Sequence, residues 1–173
     1  FRHRHLAGDK PAWGVIVGGD SAGSKMDAGK MAEAMDRIEA MRTGGELWVT
    51  TSRRTPTEIE ADLRRRSIDF LHLYSEESYN PIPAFVQLCD RLFVTADSTA
   101  MLSECVTAGS AAVDVLLVSN KTETKQHRFV QCLAKGGAVT VLGESENLSK
   151  VKVDLSQVAV EVRKRLARPL SQR

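Results

Sequence analysis

The residues best placed to do chemistry begin with a loop near the start of the chain, made of Gly18, Gly19, Asp20 and Ser21. Glycines let backbone N–H groups approach an anion closely, and the start of a following helix adds a favourable dipole. We therefore predict that this loop can bind a phosphate. The segment matches neither the GxGxxG fingerprint nor a Walker loop, and a plain tight turn explains it equally well.

A second polar segment combines hydroxyl and guanidinium groups at Thr51, Ser52, Arg53 and Arg54. Arginine can bind phosphate oxygens with two parallel hydrogen bonds, so we predict that Ser52 and Arg53 help to hold a phosphate. Thr55 has a simpler interpretation. Because Pro56 and Glu58 follow it, the pattern is typical of a helix N-cap.

A third polar segment opens a predicted helix, and either Asp97 or Ser98 is expected to cap it. The hydroxyls of Ser98 and Thr99 would lie at the positive helix end, where a pyrophosphate is stabilised. Glu104 lies about a turn and a half farther on, where it could accept hydrogen bonds from two ribose hydroxyls. An unpaired buried carboxylate is costly, so we expect it to face a ligand or an arginine. The candidate binding residues here are Asp97, Ser98, Thr99, Met101, Ser103 and Glu104.

Two histidines lie inside the predicted elements, and neither has a nucleophile beside it. His72 falls within a strand and is predicted to be a satisfied core or face residue, and His127 to lie on a solvated helix face. The catalytic residues therefore stay unassigned. No histidine pairs with a cysteine at ligand spacing, so no metal site is predicted.

Composition excludes several classes of protein. The net charge of +2 is too small to argue for a nucleic-acid partner. No apolar run approaches the roughly 20 residues that span a bilayer, and the chain opens without a secretory signal. The three cysteines, Cys89, Cys105 and Cys132, lie in apolar helical contexts without a CxxC pair. They predict buried free thiols in a reducing, cytoplasmic compartment.

Alternating apolar runs and helical patterns must position the polar segments. Strands are predicted at 13–17, 47–51, 70–74, 91–95, 112–118 and 139–142, and helices at 26–42, 55–66, 83–89, 98–108, 125–135 and after Asp154 to about 166. Helix-length crossovers between strands imply a parallel sheet covered on both faces. The expected fold class is therefore α/β, a Rossmann-like doubly wound parallel sheet of about six strands in three α/β/α layers. Ligands of such sheets collect beyond the carboxyl ends of the strands, where all three polar segments lie.

The length fits one domain. We predict a flexible N-terminal linker at 1–10 and a single domain at 11–173, and the absence of an initiator Met suggests a piece of a longer protein.

Taken together, the segments 15–21, 49–56 and 94–104 resemble the mitochondrial fission ELM1 family, over roughly residues 13–137. The family is widespread in bacteria and often described as glycosyltransferases. The resemblance implies one half of a GT-B fold, the carboxyl-terminal half that binds the nucleotide-sugar donor. The sequence departs from the family pattern at 110–113, where a turn containing Lys or Pro is expected.

The resemblance also implies roles for single residues. Glu104 would bind the donor ribose, Ser98 and Thr99 would lie near the diphosphate, and Arg53 would help to neutralise it without a bound metal. No cofactor or metal is expected. The expected partners are a nucleotide-diphosphate sugar and an N-terminal Rossmann half, without which the chain would bind but not turn over; a homodimer is also compatible.

The alternative function is a non-catalytic interaction scaffold, because the family name comes from a role in mitochondrial division. Under that hypothesis an exposed apolar patch would mark a partner surface. A collapsed pocket at the polar loops would favour it as well.

Overall fold

The computed structural model describes residues 11–21, 23–121, 124–144 and 148–166. The predicted linker at 1–10 lies outside the described residues. The strands are β1 (Ala12–Ile16), β2 (Glu46–Thr50), β3 (Phe70–His72), β4 (Arg91–Thr95), β5 (Ala112–Leu116) and β6 (Thr140–Val141). The helices are α1 (Ala28–Met41), α2 (Thr57–Leu63), α3 (Ile82–Leu88), α4 (Thr99–Thr107), α5 (Lys125–Lys135) and α6 (Ser156–Leu166).

The strands form one six-stranded parallel sheet in the order β3-β2-β1-β4-β5-β6. This order confirms the predicted Rossmann-like α/β fold. The chain winds outward from β1 to β3 and then returns to place β4 on the other side of β1. The strand order therefore reverses between β1 and β4, and ligands of this fold bind in the crevice outside that point.

Two apolar layers cover the sheet, because successive strand residues point to opposite faces. Ile16 packs on one face with apolar side chains from α3, α4 and α5, among them Phe85, Leu102 and Val130. Val15 packs on the other face with side chains from α1 and α2, among them Met31, Met35, Ile38, Ile59 and Leu63. The three-layer arrangement is thus built from continuous apolar strands, as burial on both faces requires.

One ion pair is built into the sheet. Arg91 on β4 donates to the carboxylate of Asp114 on β5 at 2.8 and 3.2 Å, and the Asp114 side chain is only 1% exposed. The Arg91 guanidinium also lies over the rings of Trp13 and Phe93, at 5.0 and 4.8 Å from their centroids. Asp114 is therefore tolerated inside an apolar strand because its charge is paired and hydrogen-bonded.

The cysteine prediction is correct for two residues and wrong for the third. Cys89 and Cys105 are buried free thiols, and burial raises the pKa of both, that of Cys105 to about 12. Cys132 is exposed, because it lies on the outer side of α5, the helix whose Val130 faces the core.

Among the described residues, no helix has both the length and the apolar character needed to cross a membrane.

Removal of one partner of the Arg91–Asp114 pair leaves a buried charge without a partner. We expect Asp114→Ala to lower the free energy of unfolding by about 3–5 kcal/mol, measured by urea denaturation. Glu161→Ala is the matched control, since it removes an exposed carboxylate that pairs with Arg165 at 2.9 Å. Its cost should stay below about 1 kcal/mol, and equal losses in the two variants would contradict the assigned role of burial.

Thiol reactivity follows the same burial. At about pH 8 the folded chain should react rapidly with a disulfide reagent at Cys132 alone, because a raised pKa keeps Cys89 and Cys105 protonated. The measurement is the number of reagent thiols released per folded chain, which equals the number of cysteines that have reacted. Cys132→Ser should abolish the rapid phase, and persistence of that phase would disprove the assignment.

Candidate functional site

The loops after β1 and β4 are joined by the side chain of Asp97. Its carboxylate accepts hydrogen bonds from the Gly19 N–H at 2.8 Å and the Thr95 hydroxyl at 2.6 Å. The Thr95 oxygen in turn accepts the Gly18 N–H at 2.8 Å. The Asp97 side chain is 8% exposed, and burial raises its pKa. Asp97 therefore positions the glycine loop exactly at the reversal of strand order.

Gly18 and Gly19 are required by close packing. A Cβ atom on Gly18 would lie 2.1 Å from an Asp97 carboxylate oxygen, and one on Gly19 would lie 2.1 Å from the backbone of Arg54. Their N–H groups donate to Thr95 and Asp97, and the Asp20 N–H donates to the Arg54 carbonyl at 3.0 Å. The expected cradle of free N–H groups for a phosphate is therefore not formed by these residues.

The loop after β2 closes against the glycine loop. Arg54 donates to the Asp20 carbonyl at 3.0 Å and lies 4.0 Å from the Asp97 carboxylate. Thr55 donates to the Gly18 carbonyl at 2.5 Å, whereas the N-cap position of α2 is Pro56 and has no side-chain cap. The prediction that Thr55 caps this helix is wrong, because the glycine loop competes for its hydroxyl.

The remaining residues of that loop differ in exposure. Thr51 is buried, and its hydroxyl donates to Glu60 at 2.6 Å and accepts the Tyr74 N–H at 2.9 Å, so it is turned into the protein. Ser52 is half-buried and accepts the Arg54 N–H at 3.3 Å. Arg53 is exposed and makes no ion pair with any described residue. Arg53 is thus a cation open to a ligand.

The start of α4 is capped by Ser98, whose hydroxyl accepts the Met101 N–H at 3.4 Å. Thr99 is exposed at this positive helix end, and Met101 and Ser103 are half-buried farther along. Glu104 is exposed and forms no ion pair with a described residue. Its expected role at a ribose stays a prediction.

A pocket opens beyond the carboxyl ends of β1, β4 and β5. Of the predicted site residues, Gly19, Ser21 and Asp97 line it. The other lining residues come from the loop before α1, the loop after β4, the end of β5 and the start of α5: Ser24, Lys25, Met26, Ala96, Leu117, Val118, Ser119, Thr124, Gln126 and His127. The cavity volume is about 20 Å³.

Charges at the pocket entrance are paired. Lys25 lies 2.9 Å from Asp20, and this contact, with the Met26 N–H, lowers the pKa of Asp20. The loop is also tied to the end of β5, since the hydroxyls of Ser24 and Ser119 are in contact. The two loops therefore form one wall of the pocket.

Lys25, Gln126 and His127 are among the pocket residues that sequence reasoning missed. His127 is half-buried on the pocket wall instead of lying on a solvated face. The available signal was Thr124, which follows the fifth strand and accepts the His127 N–H at 3.1 Å as the cap of α5. His72 is buried as predicted, with its nitrogens bonded to Thr50 and to the Glu77 carbonyl. In the described ranges no three His, Cys, Asp or Glu side chains form a metal-binding group.

The sequence model of a family described as mitochondrial fission ELM1 matches residues 1–166. The chain belongs to this family. The match is longer than the stretch 13–137 on which the resemblance was based. None of the curated proteins compared matches this ELM1-family chain.

Solved structures share the fold of this ELM1-family chain. The FMN-dependent cysteine decarboxylase TvaF from thioviridamide biosynthesis is 13% identical, with a TM-score of 0.51 over 79% of this chain and 91% of that protein. The peptidyl-cysteine decarboxylase EpiD is 14% identical, with a TM-score of 0.50 over 88% of this chain and 99% of that protein. The epidermin biosynthesis protein EpiD from Staphylococcus aureus is 11% identical, with a TM-score of 0.49 over 87% of this chain and 99% of that protein. At this identity the likeness concerns the fold alone.

The packing of the glycine loop generates a stability prediction. Gly19→Ala should lower the free energy of unfolding by about 1–3 kcal/mol, because its Cβ would collide with backbone that cannot move freely. Gly23→Ala is the matched control, since nothing lies within 4 Å of its Cβ position. We expect that variant to stay within about 0.5 kcal/mol of the parent, as measured by urea denaturation. Equal stability of the two variants would refute the close packing.

Proposed function

We propose that this chain binds a nucleotide-diphosphate sugar as the donor half of a metal-independent glycosyltransferase of GT-B type. The observation that carries the proposal is the pocket at the reversal of strand order, framed by the loops after β1, β4 and β5. Such crevices are where nucleotide ligands of doubly wound sheets bind.

The distribution of charge supports one orientation of the donor. Asp20 is paired with Lys25 and Asp97 lies near Arg54, so the pocket carries little net charge and suits an uncharged substituent of the sugar. Arg53 has no acidic partner among the described residues and is exposed. We place the diphosphate between Arg53 and the positive start of α4, where Ser98 and Thr99 lie.

The ribose then lies along α4, within reach of the exposed Glu104. A carboxylate that accepts two hydroxyl hydrogen bonds orients a ribose well. Transfer itself needs an acceptor and a base, and no residue of this chain is assigned to that role. We therefore propose that the chain binds a donor and that turnover requires a second Rossmann half.

A second candidate function, a non-catalytic interaction scaffold, is favoured by α6. All residues of this helix are exposed. Leu155, Val158, Val162 and Leu166 recur at helical spacing and are 48–68% exposed, which forms an apolar stripe of the kind that binds partners. We put the donor-binding function first because the loops at the strand ends still leave a small pocket between them.

Calorimetric titration with UDP, GDP, CMP and their sugars tests the donor proposal, with FMN as a further ligand because the fold is shared with an FMN-dependent enzyme. We expect saturable binding of one nucleotide class, with a Kd between roughly 1 µM and 1 mM. Glu104→Ala should weaken it about tenfold, through loss of charge-assisted hydrogen bonds.

The matched control is Glu58→Ala, which removes an exposed carboxylate from the first turn of α2. It should leave the affinity unchanged. A folded chain that binds none of the nucleotides, or that binds FMN in their place, would overturn the donor proposal. Sugar transfer by this chain alone would overturn the requirement for a second half.

A further inference from the structure

The interior of the pocket is small and apolar. Met26, Ala96 and Val118 are the buried apolar residues of its lining, and Leu117 is a fourth, half-buried apolar residue. A volume of about 20 Å³ accommodates about one group the size of a water molecule or a methyl. Because these four residues are apolar, a methyl group is favoured beside them and an unpaired hydroxyl is penalised.

The lining of the pocket includes two polar side chains that have no hydrogen-bond partner among the described residues. The side chains of Gln126 and His127 form no hydrogen bond with the residues that the structure describes. The neighbouring hydroxyls are engaged, since Ser24 contacts Ser119 and Thr124 accepts a backbone N–H. A glutamine amide offers a donor and an acceptor together, and its complement is another amide.

We infer that the pocket recognises the acetamido group of an N-acetylated sugar, with its methyl inside and its amide on Gln126 and His127. The inference rests on the proposed donor-binding function and specifies its substrate class. A 6-deoxy sugar would also supply a methyl group, but it would leave the Gln126 amide unpaired. The Gln126 amide therefore favours the acetamido donor.

Matched donors test the inference by calorimetry. UDP-N-acetylglucosamine is compared with UDP-glucose and UDP-rhamnose, and CMP-N-acetylneuraminate with its deaminated analogue. We expect the acetamido donor to bind roughly tenfold more tightly than its partner, from one buried methyl and one amide hydrogen bond.

Two variants locate the preference. Ala96→Leu should fill the cavity and abolish the preference for the acetamido donor, with its fold checked by thermal unfolding. Gln126→Ala lies near the start of α5 and should reduce the preference about fivefold. Gln131→Ala, an exposed glutamine on the same helix, is the control and should retain it.

The outcomes separate the two proposals. Binding of nucleotides without discrimination, or selection of a GDP-sugar or of UDP-rhamnose, overturns the acetamido inference and leaves the donor proposal standing. A preference that survives in both Ala96→Leu and Gln126→Ala places recognition elsewhere and overturns the inference as well. Absence of all nucleotide binding overturns the donor proposal itself.

Discussion

The Asp97 carboxylate holds the glycine loop of β1 against the end of β4. Its two hydrogen bonds, to the Gly19 N–H and the Thr95 hydroxyl, lie at a site that is almost closed to water. Without that carboxylate, buried donors would lose their partners, which costs far more than the bond contributes. The pocket depends on this contact, because the loop that carries Ser21 and Lys25 leaves β1 through the two glycines.

Two of the acidic side chains, one in the sheet and one at the pocket, are paired with cations. Arg91 neutralises Asp114 within the sheet, and Lys25 neutralises Asp20 at the pocket. Within each pair the two charges cancel, so neither pair offers a net positive charge to an anion. In the loop after β2, Arg53 is exposed and has no acidic partner among the described residues. Under the proposed function, Arg53 would bind the diphosphate and the pocket would take an uncharged group.

The sequence located the loops of the candidate site, but it did not predict the role of each residue within them. Thr51 and Arg53 are two positions apart in one polar segment, yet Thr51 bonds to Glu60 inside the protein and Arg53 is exposed. Both have the residue type expected of a phosphate site, so type alone could not distinguish them. The charged neighbours of His127 in the sequence predict a solvent-exposed position, but the orientation of α5 brings His127 to the pocket.

Apolar runs and helical spacing determined the strands, the helices and the parallel sheet, because burial on both faces leaves a local pattern in the sequence. The glycines at 18 and 19 likewise indicated that another group comes close to the backbone there. Only the tertiary structure decided what they approach: Gly18 bonds to Thr95 and Gly19 to Asp97, across 77 and 78 positions of sequence. A hydrogen bond over that separation has no local signature, since its partner is chosen by strand order. For the same reason the pocket, made from three strand ends, existed in no single segment of the chain.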